Sequence, residues 1–331
     1  MSANSLLSTS IPDDEGAKKL IFYAAEKQKN DLLDLLQSCE KKLRYDLDDL
    51  AEFIKEIDCS RKLSPAFFLF TQELRDAIKS TSIDKIMDAI QHVSWLKTYG
   101  IYEQELRISS VLSEFWETSY VSRMRQYEQK NICGETTLVR PVSSKQLEFH
   151  ASNIRKAVDL IQTGDMDIAH EISILISSIK IFQGRVLRGQ ASGDTMGAVW
   201  LRIPDPHDDQ VGYWIEHIVH EVSHLRLHAM FFQEKFVLNP DDEHKFRAPI
   251  RDDLRPMLGV FHATFVLARM IRVFKKLSFK GYASRFRDRL QLCQLQFEIG
   301  LNSVYSKDAE LTDNGKLIRE SFKECALILE N

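Results

Sequence analysis

His220, Glu221 and His224 are the residues of this 331-residue chain whose types and spacing most clearly suggest chemistry. On an α-helix, side chains four positions apart project about 40° from each other and lie one turn apart, so two imidazoles can reach one metal ion. Glu221 lies on the neighbouring edge of that helix, where a carboxylate can activate a metal-bound water. Taken alone, the motif His-Glu-x-x-His predicts zinc and hydrolysis.

The motif needs a helix to carry it, and the sequence predicts one from Val211 to about Val237, ended by the breaker Asn239-Pro240-Asp241-Asp242. Its apolar residues supply enough surface to bury it: Tyr213, Trp214, Ile215, Ile218, Val219, Val222, Leu225 and Leu227. His217 and His228 fall on the same face as the histidine pair. We interpret both as histidines held by ordinary hydrogen bonds.

Two histidines do not complete a catalytic site, so a third ligand must come from elsewhere. In zinc peptidases with a long spacer the third ligand is a downstream glutamate, for which Glu234 and Glu243 are the nearest candidates. Neither lies in a recognisable glutamate-containing helix motif. The compact peptidase type is excluded, because it requires glycine where Leu227 stands and histidine where Met230 stands.

His262 is the better candidate for the third ligand. Pro256 suits the first turn of a helix that continues to about Lys276 and is apolar almost all round. Such a helix is buried, and a histidine in it needs a partner. The alternative is a core histidine that is hydrogen-bonded to a carbonyl or a carboxylate.

Residues 193–273 resemble a bacterial family described as HExxH-type, 2-oxoglutarate-dependent peptide β-hydroxylases, which are associated with clusters for ribosomally made peptide natural products. Three features carry the resemblance in order: the strand-like Gly197-Ala198-Val199-Trp200-Leu201, the helix Ile218-Val219-His220-Glu221-Val222-Ser223-His224-Leu225, and the block Ala248-Pro249-Ile250-Arg251-Asp252-Asp253-Leu254-Arg255-Pro256-Met257-Leu258-Gly259-Val260-Phe261-His262. The last block discriminates the family from peptidases. Residues before about 145 carry no part of the resemblance.

The resemblance implies an Fe(II) centre with His220, His224 and His262 as ligands, leaving open positions for 2-oxoglutarate and O2. It implies hydroxylation of the β-carbon of a residue in a precursor peptide. That reaction needs no glutamate as a general base, so Glu221 would orient a ligand or the peptide.

A 2-oxoglutarate enzyme also needs a cation for the distal carboxylate of its cosubstrate, and the candidates are Arg255, Arg251 and Arg269 in that order. Arg255 comes first because it precedes a helix start, where free N–H groups and the helix dipole favour an anion. The alternative is that one or more of them pairs with Asp252 or Asp253.

Two other functions compete with the oxygenase. The first is a zinc metallopeptidase with Glu221 as general base and Glu243 or Glu234 completing the site. The second is a non-catalytic helical binding protein in which the motif survives only as structure.

The surrounding pattern predicts a mainly α fold with a small β-sheet, in two parts. Amphipathic periodicity makes residues 15–129 look all-helical, and the glycine, proline and β-branched residues of 132–144 mark a boundary near 145. We expect residues 1–144 to form a helical subdomain for recognition of the peptide or its leader, and 145–331 to form the metal-dependent catalytic domain. Helices are expected over 152–164, 166–178 and 284–329, and strands over 179–182 and 197–203.

The amino-acid composition limits the kinds of partner and the cellular compartment that are expected for the protein. A net charge of -4 without a dense Lys or Arg run disfavours nucleic acid and anionic membranes. The five scattered cysteines form no disulfide or zinc pattern and are interpreted as reduced thiols. The polar start of the chain lacks the pattern of a signal peptide, and we identified no apolar run of membrane-spanning length, so cytoplasmic residence is expected.

Overall fold

The computed structural model describes residues 9–131 and 139–327. The first eight residues, Cys133, most of the predicted boundary segment and the end of the last predicted helix lie outside these ranges. The helices and strands in chain order are α1 Asp14–Leu43, α2 Asp48–Lys55, α3 Pro65–Ser80, α4 Ile83–Tyr99, β1 Arg107–Ser110, α5 Glu117–Asn131, α6 Ser144–Gly164, α7 Met166–Leu175, β2 Ser178–Phe182, β3 Gly189–Ala191, β4 Ala198–Arg202, α8 Gln210–Phe231, β5 Phe246–Arg247, β6 Leu254–Arg255, α9 Met257–Leu277, α10 Ala283–Val304 and α11 Asp313–Ala326. The chain is therefore mainly α with a small sheet, as predicted.

The described chain divides into two compact units. One, here called the helical unit, comprises residues 9–20, 148–174 and 204–327; the other, the sheet unit, comprises 21–131, 139–147 and 175–203. The chain changes unit at residue 147, close to the boundary expected near 145. Each unit also takes a segment from the other side of that position, so the division is not a single cut.

The sheet unit contains a four-stranded sheet in the order β1-β2-β4-β3. Strands β1, β2 and β4 are parallel, and β3 pairs antiparallel with β4. Every residue of β2 is buried, which suits its near-continuous apolar sequence. Its single charged residue, Lys180, is fully buried and bonds Glu117 at 2.8 Å and the hydroxyl of Ser109 at 3.0 Å. The predicted strands over 179–182 and 197–203 are confirmed as β2 and β4.

Strand β1 corrects the prediction that residues 15–129 are all-helical. It is four residues long and its register places Ile108 opposite Ile179 of β2, far along the chain. A strand this short has no measurable alternation of its own. Its conformation is set by pairing with β2.

The helical unit is organised around α9, which packs against α8, α10 and α11. Its buried residues lie on nearly all sides of the helix, as its apolar sequence predicted. The approach of α10 is close at Gly300, where an added Cβ atom would lie 2.3 Å from Oγ1 of Thr264. A larger residue at that position would push the two helices apart.

Several predicted helix ends are wrong. Helix α8 ends at Phe231 rather than near Val237, because Val237 forms an isolated antiparallel bridge with Leu311. Helix α6 begins at Ser144 rather than Ser152, and α7 ends at Leu175 rather than Ser178. The tail is two helices, α10 and α11, rather than one.

Residues far apart in the chain close the helical unit. The backbone N–H of Ser10 donates to Oγ of Ser321 at 2.8 Å across a sequence separation of 311 residues, and Ser10 Oγ returns a bond to the carbonyl of Ser321. Sγ of Cys325 donates to the carbonyl of Ser10 at 3.4 Å. The segment before α1 is thus fixed to α11.

One stretch in the described residues, Met257–Val304, is long and apolar enough to cross a membrane by length and composition, which corrects the expectation that no such run exists. It comprises α9, a π-helical turn and α10. Of its most apolar window, 72% is buried inside the protein. Such burial is typical of the core helix of a soluble protein.

Candidate metal centre

Helix α8 carries the His-Glu-x-x-His motif and is fixed at its start by a cap. Oδ1 of Asp209 accepts the N–H of Gly212 at 3.2 Å, as at many helix N-termini. The guanidinium of Arg285 on α10 binds the same carboxylate at 2.7 Å. The motif helix is therefore tied to α10 about three turns before His220.

The two motif histidines face each other. Their Nε2 atoms lie 3.2 Å apart, and their ring centroids are separated by 4.8 Å. Two nitrogens about 2.1 Å from one ion, with an angle of roughly 90 to 110° between them, stand about 3.0 to 3.4 Å apart. The spacing of His220 and His224 is that of two ligands of a single ion. Both side chains remain partly exposed, so a ligand can reach them.

His262 projects from α9 toward the same place. Its ring centroid lies 5.7 Å from that of His224 and 5.6 Å from that of His228, and it stacks on Phe231 at 5.2 Å. In the described residues, however, no third His, Cys, Asp or Glu brings a ligand atom within 4.8 Å of both Nε2 atoms of the pair. The structure thus brings His220 and His224 together and leaves His262 beside them, farther away than a ligand of the same ion would lie.

The only group of three that meets the 4.8 Å limit in the described part of the chain is Glu40, Asp46 and Asp48. These carboxylates lie at the surface around the end of α1, with no histidine among them. Exposed acidic groups of this kind are common without an ion.

Burial keeps the imidazoles of the centre neutral. It lowers the pKa of His220 to about 4 and that of His262 to about 3. It also holds the pKa of His224 well below its usual range, and the neighbouring imidazoles His220, His262 and His228 add to this effect. Neutral imidazoles keep the lone pair that a metal requires. These residues therefore fit a divalent ion.

Glu221 is buried, with an exposed fraction of 3%, and its Oε2 atom has no hydrogen-bond partner. Burial raises the pKa of this carboxyl group to about 8. An unpartnered buried oxygen is an expected place for a bound water, an ion or a proton. Glu221 directly follows His220 in the chain, but its carboxylate is not within 4.8 Å of both motif Nε2 atoms.

His217 has partners other than a metal. Its Nδ1 atom bonds the carbonyl of Tyr213 at 2.9 Å, and its ring stacks on that tyrosine with centroids 3.8 Å apart. The interpretation of His217 as an ordinary hydrogen-bonded histidine is confirmed. His228 instead lies beside His262, so the sequence underestimated its nearness to the centre.

The glutamates considered as peptidase ligands bond to other groups. Oε1 of Glu234 accepts a hydrogen bond from Asn314 at 2.6 Å. Oε1 of Glu243 pairs with Lys245 at 2.8 Å, and its Oε2 atom accepts a bond from Asn239 at 3.4 Å. The structure does not bring either carboxylate to the histidine pair.

The candidate arginines have different environments. Arg269 is fully buried, and its guanidinium bonds Glu171, Ser223 and the carbonyl of Ser10. Arg255 pairs with Asp253 at 2.7 Å, which is one of the two aspartates named above as alternative partners. Its Nε atom, however, is buried without a hydrogen-bond partner. Arg251 is exposed in the loop before β6. Of the three, Arg255 has a donor that the protein leaves unused.

Two charged contacts near the centre were missed by the sequence analysis. Glu216, one turn before His220, forms an ion pair with Arg289 of α10. Glu171 of α7 binds both Arg226 and Arg269. The four-residue spacing of Arg285 and Arg289 places both on one face of a helix, and this spacing could have indicated the contact with Glu216. No feature of the neighbouring sequence indicated the contacts of Glu171.

The comparisons with known proteins add no family. No protein-family model matches the chain, and no curated protein matches it significantly.

Proposed function

We propose that the chain binds a divalent metal through His220, His224 and His262 and is an Fe(II)- and 2-oxoglutarate-dependent oxygenase that hydroxylates the β-carbon of a residue in a ribosomally made peptide. The observation that carries the proposal is the 3.2 Å approach of the two motif Nε2 atoms beside a third imidazole from α9. Three imidazoles without an added carboxylate suit iron, zinc, copper or nickel.

A bound Fe(II) would supply open positions for 2-oxoglutarate and O2 and the oxidising chemistry that functionalises an unactivated carbon. The protein's own residues have simpler tasks. His220, His224 and His262 bind the ion as neutral ligands, and Phe231 holds the plane of the His262 ring by stacking. Glu221 orients a ligand or the peptide through its unused oxygen.

Arg255 is the proposed anchor for the distal carboxylate of 2-oxoglutarate. It lies at the end of β6, two residues before α9 begins, and His262 lies five residues, or about 7.5 Å, into that helix. Its buried, unpartnered Nε atom can donate to a carboxylate, and the first turn of α9 adds free N–H groups. Arg269 is a weaker candidate, because bonds within the protein occupy its guanidinium.

The peptide substrate, its residue and the cytoplasmic setting in natural-product biosynthesis belong to this proposal. They rest on the resemblance of residues 193–273, together with the charge balance that disfavours nucleic acid. The sheet unit, which contains most of the N-terminal helices, is the proposed part for recognition of the peptide or its leader.

The deciding experiment is anaerobic reconstitution with Fe(II), followed by 2-oxoglutarate and then O2. Binding of 2-oxoglutarate to the Fe(II) protein should give a visible charge-transfer band. Turnover should convert 2-oxoglutarate to succinate and CO2, with one oxygen atom of O2 in succinate and the other in the peptide. His220→Ala and His224→Ala should abolish the band and the turnover. The proposal would be contradicted if the protein binds one equivalent of iron but shows neither the charge-transfer band nor succinate formation, even when the peptide encoded beside the gene is supplied.

A zinc metallopeptidase is the second candidate, supported by the buried, unpartnered oxygen of Glu221. Glu234 and Glu243 weigh against it, because each bonds elsewhere. Peptide cleavage by the zinc-loaded protein, lost in Glu221→Gln, would establish hydrolysis instead. A chain that retains no divalent metal would instead be a non-catalytic binding protein.

A further inference from the structure

A buried ion cluster joins three helices behind the candidate metal centre. Glu171 of α7 is fully buried and accepts hydrogen bonds from Arg226 of α8 and Arg269 of α9, both also fully buried. The backbone N–H of Asp13 donates to the same carboxylate at 2.9 Å. One carboxylate thus bridges the helix of His220 and His224 to the helix of His262.

A second contact within the cluster reaches the metal motif itself. Nε of Arg269 donates to the hydroxyl of Ser223 at 2.9 Å, and this hydroxyl donates to the carbonyl of Val219 at 2.6 Å. Ser223 immediately precedes His224. Arg269 lies seven residues after His262, so the two share a face of α9 at a distance of about 10 Å along its axis.

Other nitrogens of the two guanidinium groups bond backbone carbonyls near the start of the described chain, while Nη2 of Arg226 is buried without a hydrogen-bond partner. Nη1 of Arg269 donates to the carbonyl of Ser10 at 2.9 Å, and Nε of Arg226 donates to that of Thr9 at 3.3 Å. Burial lowers the pKa of Arg226, and the carboxylates of Glu171 and Asp13 act against this shift. Glu171 is the buried carboxylate that both arginines share, so its position is closely constrained.

We propose that Glu171 is a positioning residue for the metal centre: through Arg226 and Arg269 it fixes the register of α9 against α8 and so holds His262 opposite the His220–His224 pair. This inference rests on the metal site of the proposed function. A buried ion triad often adds little net stability compared with an apolar core, and setting register is its best-attested role. A slip of one turn would move His262 by about 5.4 Å, more than twice a metal–nitrogen bond length.

Asp165 provides a matched control. It is also fully buried and binds α9 through Arg272 at 2.6 Å and Lys276 at 2.8 Å. Neither of its partners lies on α8. Glu171→Gln and Asp165→Asn therefore each remove a buried carboxylate charge that pairs with α9, but only the first breaks the link between the two metal-bearing helices.

The test is the affinity of the purified full chain for Co(II), measured by competition with a chelator, with the d–d absorption bands as a readout of coordination. We expect Glu171→Gln to weaken Co(II) binding by roughly 10- to 100-fold and to shift the bands toward fewer imidazole ligands, as substitutions behind metal ligands commonly do. Asp165→Asn should bind within about twofold of the wild type at the same temperature.

If Glu171→Gln does not fold, the triple variant E171L/R226M/R269L keeps the core apolar while removing the cluster, and the same loss of affinity is expected. Ser223→Ala gives a milder variant that removes only the acceptor for Arg269. Equal affinity in the wild type and the folded cluster variants, or an equal loss in Asp165→Asn, overturns the positioning role. A wild-type chain that binds no Co(II) overturns the metal site itself, which is a separate result.

Discussion

The imidazoles of His224 and His262 lie 5.7 Å apart, centroid to centroid, although they belong to different helices. His262 is turned at 37° to His224 and stacks on Phe231. Two of the three proposed ligands thus lie in contact, and the third lies beside them. If His262 moves toward the pair to bind a metal, it must lose part of its contact with Phe231, or the Phe231 ring must move with it.

Replacement of His262 should therefore weaken metal binding more than replacement of its neighbour His228. We expect His262→Ala to reduce Co(II) affinity on the order of 100-fold, since it removes a direct ligand. His228→Ala serves as the control and should change the affinity by less than about threefold, because this imidazole stands 6.4 Å from His224 by ring centroids. Equilibrium competition titrations measure both. A larger loss in His228→Ala would assign the third position to that residue.

Glu221 should make the metal-free protein less stable as the pH rises. Its folded-state pKa of about 8 lies above the ordinary value of 4.5, so the folded chain holds a proton that the unfolded chain releases between these values. The contribution of the protonated group is complete below about pH 4.5 and is lost as the pH rises through 8. Relative to Glu221→Gln, the wild type should lose about 3 to 5 kcal/mol of unfolding free energy across this range.

Urea unfolding of the chelator-treated proteins at pH 5 and pH 8.5 measures this difference. Glu221→Gln is a suitable reference because it has nearly the same shape and cannot ionise. The neighbouring histidines titrate in both proteins and so cancel in the comparison. Parallel stability curves for the two proteins would show that the carboxyl group has an ordinary pKa.

Substitution of Arg255 should act on cosubstrate binding rather than on the metal. We expect Arg255→Gln to weaken 2-oxoglutarate binding to the metal-loaded protein by about 10- to 100-fold, the range of a lost charge-assisted hydrogen bond. Co(II) affinity should stay unchanged. Calorimetric titration with 2-oxoglutarate measures the effect, with Arg247→Gln, an exposed arginine on β5, as the control. If Arg251→Gln shows the loss and Arg255→Gln does not, the anchor is the loop arginine.

The close approach of α9 and α10 gives a prediction that does not depend on function. Gly300→Ala would place a methyl group 2.3 Å from Oγ1 of Thr264, and we expect a loss of about 1 to 3 kcal/mol in unfolding free energy. Gly259→Ala is the matched control, because its added Cβ would meet nothing within 4 Å and alanine favours a helix. In thermal and urea unfolding, Gly300→Ala should be less stable than the wild type and Gly259→Ala should be more stable.

The spacing and polarity of neighbouring residues were enough to predict the features of the candidate metal centre that lie on a single helix. The four-residue spacing of His220 and His224 determines their shared face, and the apolar surroundings of His262 determine that its helix is buried. The structure brings these two predictions together. The sequence could not show that His262 would lie apart from the pair, because the orientation of its ring depends on stacking against Phe231.

The predictions failed where distant segments decide the structure. Strand β1 depends on pairing with β2, and the end of α8 depends on a bridge between Val237 and Leu311. Arg269 was a candidate cosubstrate anchor because it lies two turns beyond His262 on the same face. Its partner Glu171 is nearly a hundred residues away and leaves no local signature in the sequence. Each case involves a contact that only the folded chain creates.

The bond between Ser10 and Ser321 has a consequence for synthesis of the protein. The residues near the start of the chain cannot reach their partners until the ribosome has released α11, about 310 residues later. Until then the apolar surface of α9 lacks one of the helices that cover it. Contacts this distant in sequence slow folding. Helix α9 itself is complete only at residue 277, so the interval in which it lacks α11 falls late in synthesis. Folding of the helical unit is therefore expected to be completed only after α11 has been synthesised.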